Sequence, residues 1–173
     1  PLNVSRSYLQ EDANVKKITA HISKKVSDKL AKMFKDDRAD FESKWQDIQV
    51  FTEYGMLMDE QFFERAGKLA LYKDNEGTYR HMEELLETVK EAHTDRDGNV
   101  VMLYTPDPEG QHGYVSAARD AGYTVLHLES PLTSHLIQKL EMGSGDTKVQ
   151  FRRVDADIVD RLIPKEDAPE SAL

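Results

Sequence analysis

Side chains able to hydrogen-bond cluster at the start of the chain, Asn3, Ser5, Arg6 and Gln10 among them, within Pro1-Leu2-Asn3-Val4-Ser5-Arg6-Ser7-Tyr8-Leu9-Gln10. An arginine presents a planar fork of N–H donors, and its chemistry is the recognition of carboxylates and phosphates. Read by itself, the run is a polar surface connection that enters a helix. Candidate chemistry elsewhere is thinner. His21, His81, His93, His112, His127 and His135 lie at no metal-ligand spacing from one another, and they read as surface histidines. His127 alternates with Leu126 and Leu128 along an expected strand, where a structural histidine fits. No serine sits in a G-x-S-x-G elbow and no glycine-rich run is built to cradle a phosphate. The chain has 0 cysteines, which excludes a thiolate nucleophile, a disulfide framework and any Cys-ligated metal. Gly143-Ser144-Gly145-Asp146 precedes an expected strand and reads as a tight turn, and Glu83-Glu84 as a solvated helix face. Asp107 and Glu129 follow two expected strands, where an enzyme built on an open parallel sheet would place its chemistry, but no motif accompanies them.

The elements that must position these groups fall into two sets. Val15, Ile18, Ile22, Val26, Leu30 and Met33 recur at steps of three or four, which predicts an amphipathic helix over 14–35, capped by Asp12 or Asn14. A second helix over 38–49 carries Phe41, Trp45 and Ile48. A third, over 59–72, carries Phe62, Phe63, Ala66, Leu69 and Ala70, and Gly55 separates the two. None buries its apolar face alone, so the three should pack together. Asn75-Glu76-Gly77 then predicts a turn, with Thr78 capping a helix that ends near His93. Val100–Tyr104, Tyr123–Leu128 and Lys148–Val154 read as strands, with helices ending at Ala121 and spanning Leu132–Leu140 between them. That alternation predicts a three-stranded parallel sheet with helices on it. A last helix is expected over 155–163, stopped by Pro164. The fold class is therefore α/β (α+β overall). Its expected divisions are a loop and helix entry over 1–13, a three-helix coil over 14–74, a small α/β/α subdomain over 75–163 and a flexible tail over 164–173.

Composition bounds the function. With 39% hydrophobic and 32% charged residues the 173-residue chain can build a core. No stretch approaches the roughly 18 apolar residues of a membrane span, and no signal peptide opens the chain, so a cytoplasmic protein without membrane contact is expected. The net charge of -9 is uneven: residues 1–35 hold eight basic and three acidic side chains, leaving -14 on the rest. A basic helix can meet a polyanion or an acidic partner. No aromatic or arginine is interleaved with its lysines, so nucleic acid is not the expected partner. A stand-alone module that binds an acidic protein through this helix remains a reading the residues allow. The first residue, Pro1, points to a processed chain or a piece of a longer one.

The run PLNVSRSYLQ closely resembles the PLNxSRExLQ signature of the ninety-kilodalton heat-shock chaperones, whose bacterial members are called high-temperature protein G. Gly77-Thr78 leading to Leu85-Leu86, and the apolar strand ending at Tyr104-Thr105, resemble later parts of the same family, so that the likeness covers residues 1–163. The resemblance implies a fragment of the middle domain: a catalytic loop, then a helical coil, then a small α/β/α subdomain. It places the family's catalytic arginine on Arg6, its loop glutamine on Gln10 and its asparagine on Asn3. It implies that Arg6 and Asn3 reach the nucleotide site of a separate N-terminal domain, which would hold ATP with magnesium, while a C-terminal domain would make a homodimer. It implies unfolded or partly folded client proteins as partners, and ATP hydrolysis by the parent protein rather than by this fragment. Ser7 stands where the family has glutamate, and Ser130 to His135 lacks the acidic pair that many members carry.

Overall fold

The computed structural model describes residues 2–143, 147–154 and 163–165, with residues 2–12 followed as backbone. The chain divides into two compact units, Pro1–Ala70 and Leu71–Leu173.

The first unit is three helices, α1 (Leu2–Asp36), α2 (Arg38–Met58) and α3 (Glu60–Ala66). Helix α1 begins twelve residues before the expected 14, because residues 2–13 contain neither glycine nor proline and nothing interrupts the backbone ladder. The opening run, expected as a loop, is therefore helical. Asp37 and Asp59 cap the next two helices, their carboxylates accepting the N–H groups of Asp40 at 3.1 Å and Phe62 at 3.0 Å. Asp59 also accepts the Ser23 hydroxyl at 3.1 Å, tying α1 to the start of α3. Phe41, Trp45, Met56, Phe62 and Ala66 form the buried interior. Gly55 does not separate two helices as expected; α2 runs through it to Met58. A Cβ at Gly55 would lie 2.8 Å from the Phe62 ring, so this glycine exists to let α3 approach.

The stripe expected to bury α1 does so only in its last turns, where Leu30 is buried and Met33 half-buried. Helix α1 meets its neighbours through Ser23, Ser27, Leu30 and Phe34, about a quarter-turn round from Val15, Ile18, Ile22 and Val26, all four of which are exposed. Only the last turns of α1 run beside the two shorter helices, which leaves the earlier part of the stripe uncovered within this unit.

Among the described residues the second unit is a five-stranded mixed sheet with three helices. Strand β1 (Tyr72–Asp74) turns back as β2 (Tyr79–Arg80), α4 (Met82–His93) follows, and then β3 (Val100–Thr105), α5 (His112–Asp120), β4 (Val125–His127), α6 (Thr133–Met142) and β5 (Val149–Arg153) alternate. The strand order is β2-β1-β4-β3-β5, with β4, β3 and β5 mutually parallel and the hairpin joined antiparallel through β1 and β4. The three expected parallel strands are thus present, and the hairpin adds two. Its residues were expected to finish the third helix and cap the fourth. Instead Tyr72 lies in a strand, α3 stops at Ala66, and the α4 cap is His81, whose ring and the Glu84 carboxylate form a reciprocal capping box. Two Asp-x-x-Gly turns are built alike: Asp74 accepts the N–H groups of Glu76 and Thr78, Asp95 those of Asp97 and Asn99, and Gly77 and Gly98 take φ of 82° and 83°. The core is Val101, Leu103, Ala118, Val125, Val154 and Ile163, with Val115 and Tyr123 packed against it. The helix expected over 155–163 and the Gly143 to Asp146 turn lie largely outside the described residues.

Candidate functional site

Residues 3, 6 and 10 occupy the first turns of α1. Steps of three and four put positions 3, 6 and 10 along one side of the helical backbone. Their side chains lie outside the described residues. Further along α1, Lys24, Lys25, Lys29, Lys32 and Lys35 are exposed, as a solvated basic face requires. Helix α2 shows the reverse on its outer side: Val50, Phe51, Tyr54 and Met58 are 45%, 82%, 56% and 68% exposed, an apolar stripe opposite the buried Phe41, Trp45 and Met56. The sequence reading missed this stripe because its residues share spacing with a core face.

The carboxyl end of the parallel strands is closed by its own hydrogen bonds. The Thr105 hydroxyl is buried against the Gln111 side chain and also accepts the Asp107 N–H at 3.1 Å. Asp107 spends its carboxylate on the Gly110 N–H, 3.1 Å away, and a Cβ at Gly110 would lie 2.1 Å from the other carboxylate oxygen. The register sets His127 beside Thr105 on one side and Lys73 on the other. Burial lowers the His127 pKa from its ordinary value and Lys73 acts in the same sense, against Glu129 and Asp74. Asp107 is a loop-closing group, so one of the two carboxylates that the small-molecule reading named is committed to structure. Among the described residues no group of three or more His, Asp or Glu could hold a metal ion. No helix among them is long and apolar enough to cross a membrane.

The buried histidine is His93, which the sequence reading had left on the surface. Its Nδ1–H donates to the Val101 carbonyl at 2.7 Å, its Nε2 accepts the Thr124 N–H at 3.0 Å, and its ring meets Tyr123 edge-on at 5.4 Å. Between β3 and β4 the Leu128 N–H donates to the Thr105 carbonyl. Stepping back two residues at a time along parallel strands, Thr124 N–H and Val101 C=O would be the next ladder pair but one. The imidazole is inserted there and carries the ladder across the gap. A carbonyl can only accept and an amide can only donate, so the ring must be neutral with its proton on Nδ1. Burial lowers its pKa, as does the charge of Lys165, while the Val101 hydrogen bond opposes them. His93 is therefore an architectural residue, and no periodicity in the sequence marks it.

A family model described as Hsp90 protein matches residues 1–161. The chain belongs to the Hsp90 family. It is 49% identical over 173 residues to the chaperone protein HtpG of Bacteroides fragilis and, equally, to that of Porphyromonas gingivalis, covering 100% of this chain and 25% of each relative. A more distant HtpG, from Myxococcus xanthus, is 24% identical over 159 residues, 90% of this chain and 24% of that protein. The chain thus spans about a quarter of the length of the curated relatives it matches. Among solved structures, the middle domain of a Plasmodium falciparum heat shock protein superposes with a TM-score of 0.60 at 15% identity, over 79% of this chain and 56% of that one. The architecture is that of an Hsp90 middle domain. Membership of this family displaces the reading of a stand-alone module with an acidic partner.

Proposed function

We propose that this Hsp90-family segment is part of the middle domain of an ATP-dependent chaperone and supplies Arg6 to the γ-phosphate of ATP held by another domain of the same protein. What supports the reading is the family match over residues 1–161, a span that includes the PLNVSRSYLQ run, which resembles the family's signature. The residues fit the task. A guanidinium offers fixed, paired donors to the equatorial oxygens over which charge spreads when the γ-phosphoryl group leaves, and Asn3 and Gln10 are residue types with neutral amide donors. Magnesium would be held with the nucleotide in that other domain and would supply charge neutralisation there. An arginine that arrives on one domain while the nucleotide sits on another makes turnover wait for domain closure. The nucleotide site belongs to that other domain, so turnover is expected of the full-length protein.

The same segment offers surface to unfolded or partly folded clients. Four exposed apolar side chains on α2, including the unbranched and adaptable Met58, are the type of contact that accepts many sequences. In the full-length protein a homodimer formed elsewhere in the chain would present two such surfaces. The test is ATP turnover by the full-length chaperone with Arg6→Ala at saturating nucleotide. The expected result is a fall in kcat of about a thousandfold with ATP affinity changed little. Normal turnover sinks the assignment.

A further inference from the structure

Methionine carries all the oxidisable sulfur of this chain, which has 0 cysteines and 6 methionines. The fold sorts those methionines sharply. Met56 and Met102 are sealed at 0% and 1% exposure, Met33 and Met82 are half-buried, and Met58 and Met142 stand open at 68% and 89%. Met56 and Met58 share the last turn of α2, where the rotation of about 200° between them carries one into the interior and the other to the outside. The two open thioethers differ in their surroundings. Tyr54 and Phe51 lie four and seven residues before Met58, both exposed, so the three form one apolar side of the helix. At the same steps before Met142 stand Gln138 and His135, so its thioether is an isolated surface group.

We propose that the Met58 thioether is an oxidative modification site, and that its conversion to the sulfoxide by hydrogen peroxide weakens client binding at the outer stripe of α2. This rests on the client-binding reading above and adds its regulation. A sulfur lone pair attacks one peroxide oxygen, the S–O bond forms as the O–O bond breaks, and the other oxygen leaves as water with both protons. Sulfur loses two electrons and the peroxide gains them. A dithiol reverses the step: it becomes a disulfide, returns two electrons to sulfur and removes the oxygen as water. The thioether is apolar and adaptable, whereas the sulfoxide carries a strong acceptor that an apolar client segment leaves unsatisfied. Met56 and Met102 are closed to peroxide, so both cores stay intact while the outer stripe changes.

The experiment treats the full-length chaperone with hydrogen peroxide, reads each methionine by peptide mass spectrometry, and measures affinity for reduced, carboxymethylated α-lactalbumin, a permanently unfolded chain. Sulfoxide should form at Met58 and Met142 at least about tenfold faster than at Met56 and Met102. Affinity for the unfolded chain should then fall about tenfold, and a dithiol-dependent sulfoxide reductase should restore it. Met58→Leu, which keeps the apolar contact and cannot be oxidised, should bind within about twofold of wild type before and after peroxide. Met58→Gln should bind as weakly as the oxidised protein without any peroxide, and Met142→Leu should give no protection. Unchanged affinity with Met58 fully oxidised, or an equal loss in Met58→Leu, overturns the proposal. Phe51→Asp separates the two readings in that case: if it weakens binding, the α2 stripe holds clients and only the role of Met58 is wrong, and if it does not, the client surface lies elsewhere.

Discussion

Replacing His93 with phenylalanine tests how the second unit is held together. The ring volume and the edge-on contact with Tyr123 are largely kept, while both hydrogen bonds disappear, leaving the Val101 carbonyl and the Thr124 N–H facing an apolar edge inside the sheet. An unpaired buried polar group costs about 1–3 kcal/mol, so the pair should cost about 2–6 kcal/mol. For a unit of this size each kcal/mol moves the melting temperature by about 4–8 °C, which predicts a fall of at least about 8 °C. The pH dependence gives a second, independent reading. The folded-state pKa of His93 lies below its ordinary 6.5. As pH falls past that value the unfolded chain takes up a proton that the folded chain refuses. The stability His93 contributes is therefore complete above pH 6.5 and is lost as pH falls toward the folded pKa, with a slope of up to about 1.4 kcal/mol per pH unit. His127 is shifted in the same direction and adds its own slope, so the decisive quantity is the difference between wild type and His93→Phe. Urea unfolding monitored by amide exchange in β3 and β4, repeated from pH 7.5 to 5, measures both. A variant as stable as wild type, with the same loss below pH 6.5, refutes the imidazole as a ladder bridge.

Asp59→Ala removes the α3 cap and the Ser23 link together and should destabilise the first unit by about 1–2 kcal/mol, read from Trp45 emission during urea unfolding. Its lowered pKa, caused chiefly by the Phe62 N–H, means that its contribution is present above pH 3.8 and fades below, so wild type and variant should converge in acid. Gly55→Ala gains helix propensity yet drives a methyl into the Phe62 ring; the clash should win, with a net loss of about 1 kcal/mol, and a more stable variant would show that α3 can retreat freely. Asp74→Asn weakens the acceptor shared by the Glu76 and Thr78 amides and Arg80, and should cost about 2 kcal/mol with faster exchange at Thr78.

The periodicity of Phe41, Trp45 and Phe62, the apolar run Val100–Tyr104 and the turn at Asn75-Glu76-Gly77 were legible because each is a local pattern with one structural answer. Three features were not. Gly55 looks like a break because a glycine inside a helix and a glycine between helices are the same letter; only the approach of Phe62 distinguishes them. The hairpin of Tyr72–Asp74 and Tyr79–Arg80 is too short to show alternation and depends on pairing with β4, more than 45 residues away. His93 bridges two strands that meet only in the folded sheet, so its burial depends wholly on tertiary contacts. The candidate site was legible only through the resemblance of PLNVSRSYLQ to a family signature, since a polar run with one arginine carries no chemistry of its own.

Contact between position 6 and the γ-phosphate can be measured directly in the full-length chaperone with Arg6→Lys, using ATP that carries an acyl group on its γ-phosphate. An amine within reach attacks the acyl carbonyl and the nucleotide phosphate leaves, so the acyl group marks whatever nitrogen stands at the γ-phosphate. Our account predicts acylation at position 6, found by peptide mass spectrometry and suppressed by excess ATP. Labelling of other lysines in the nucleotide pocket, with none at position 6, would contradict it.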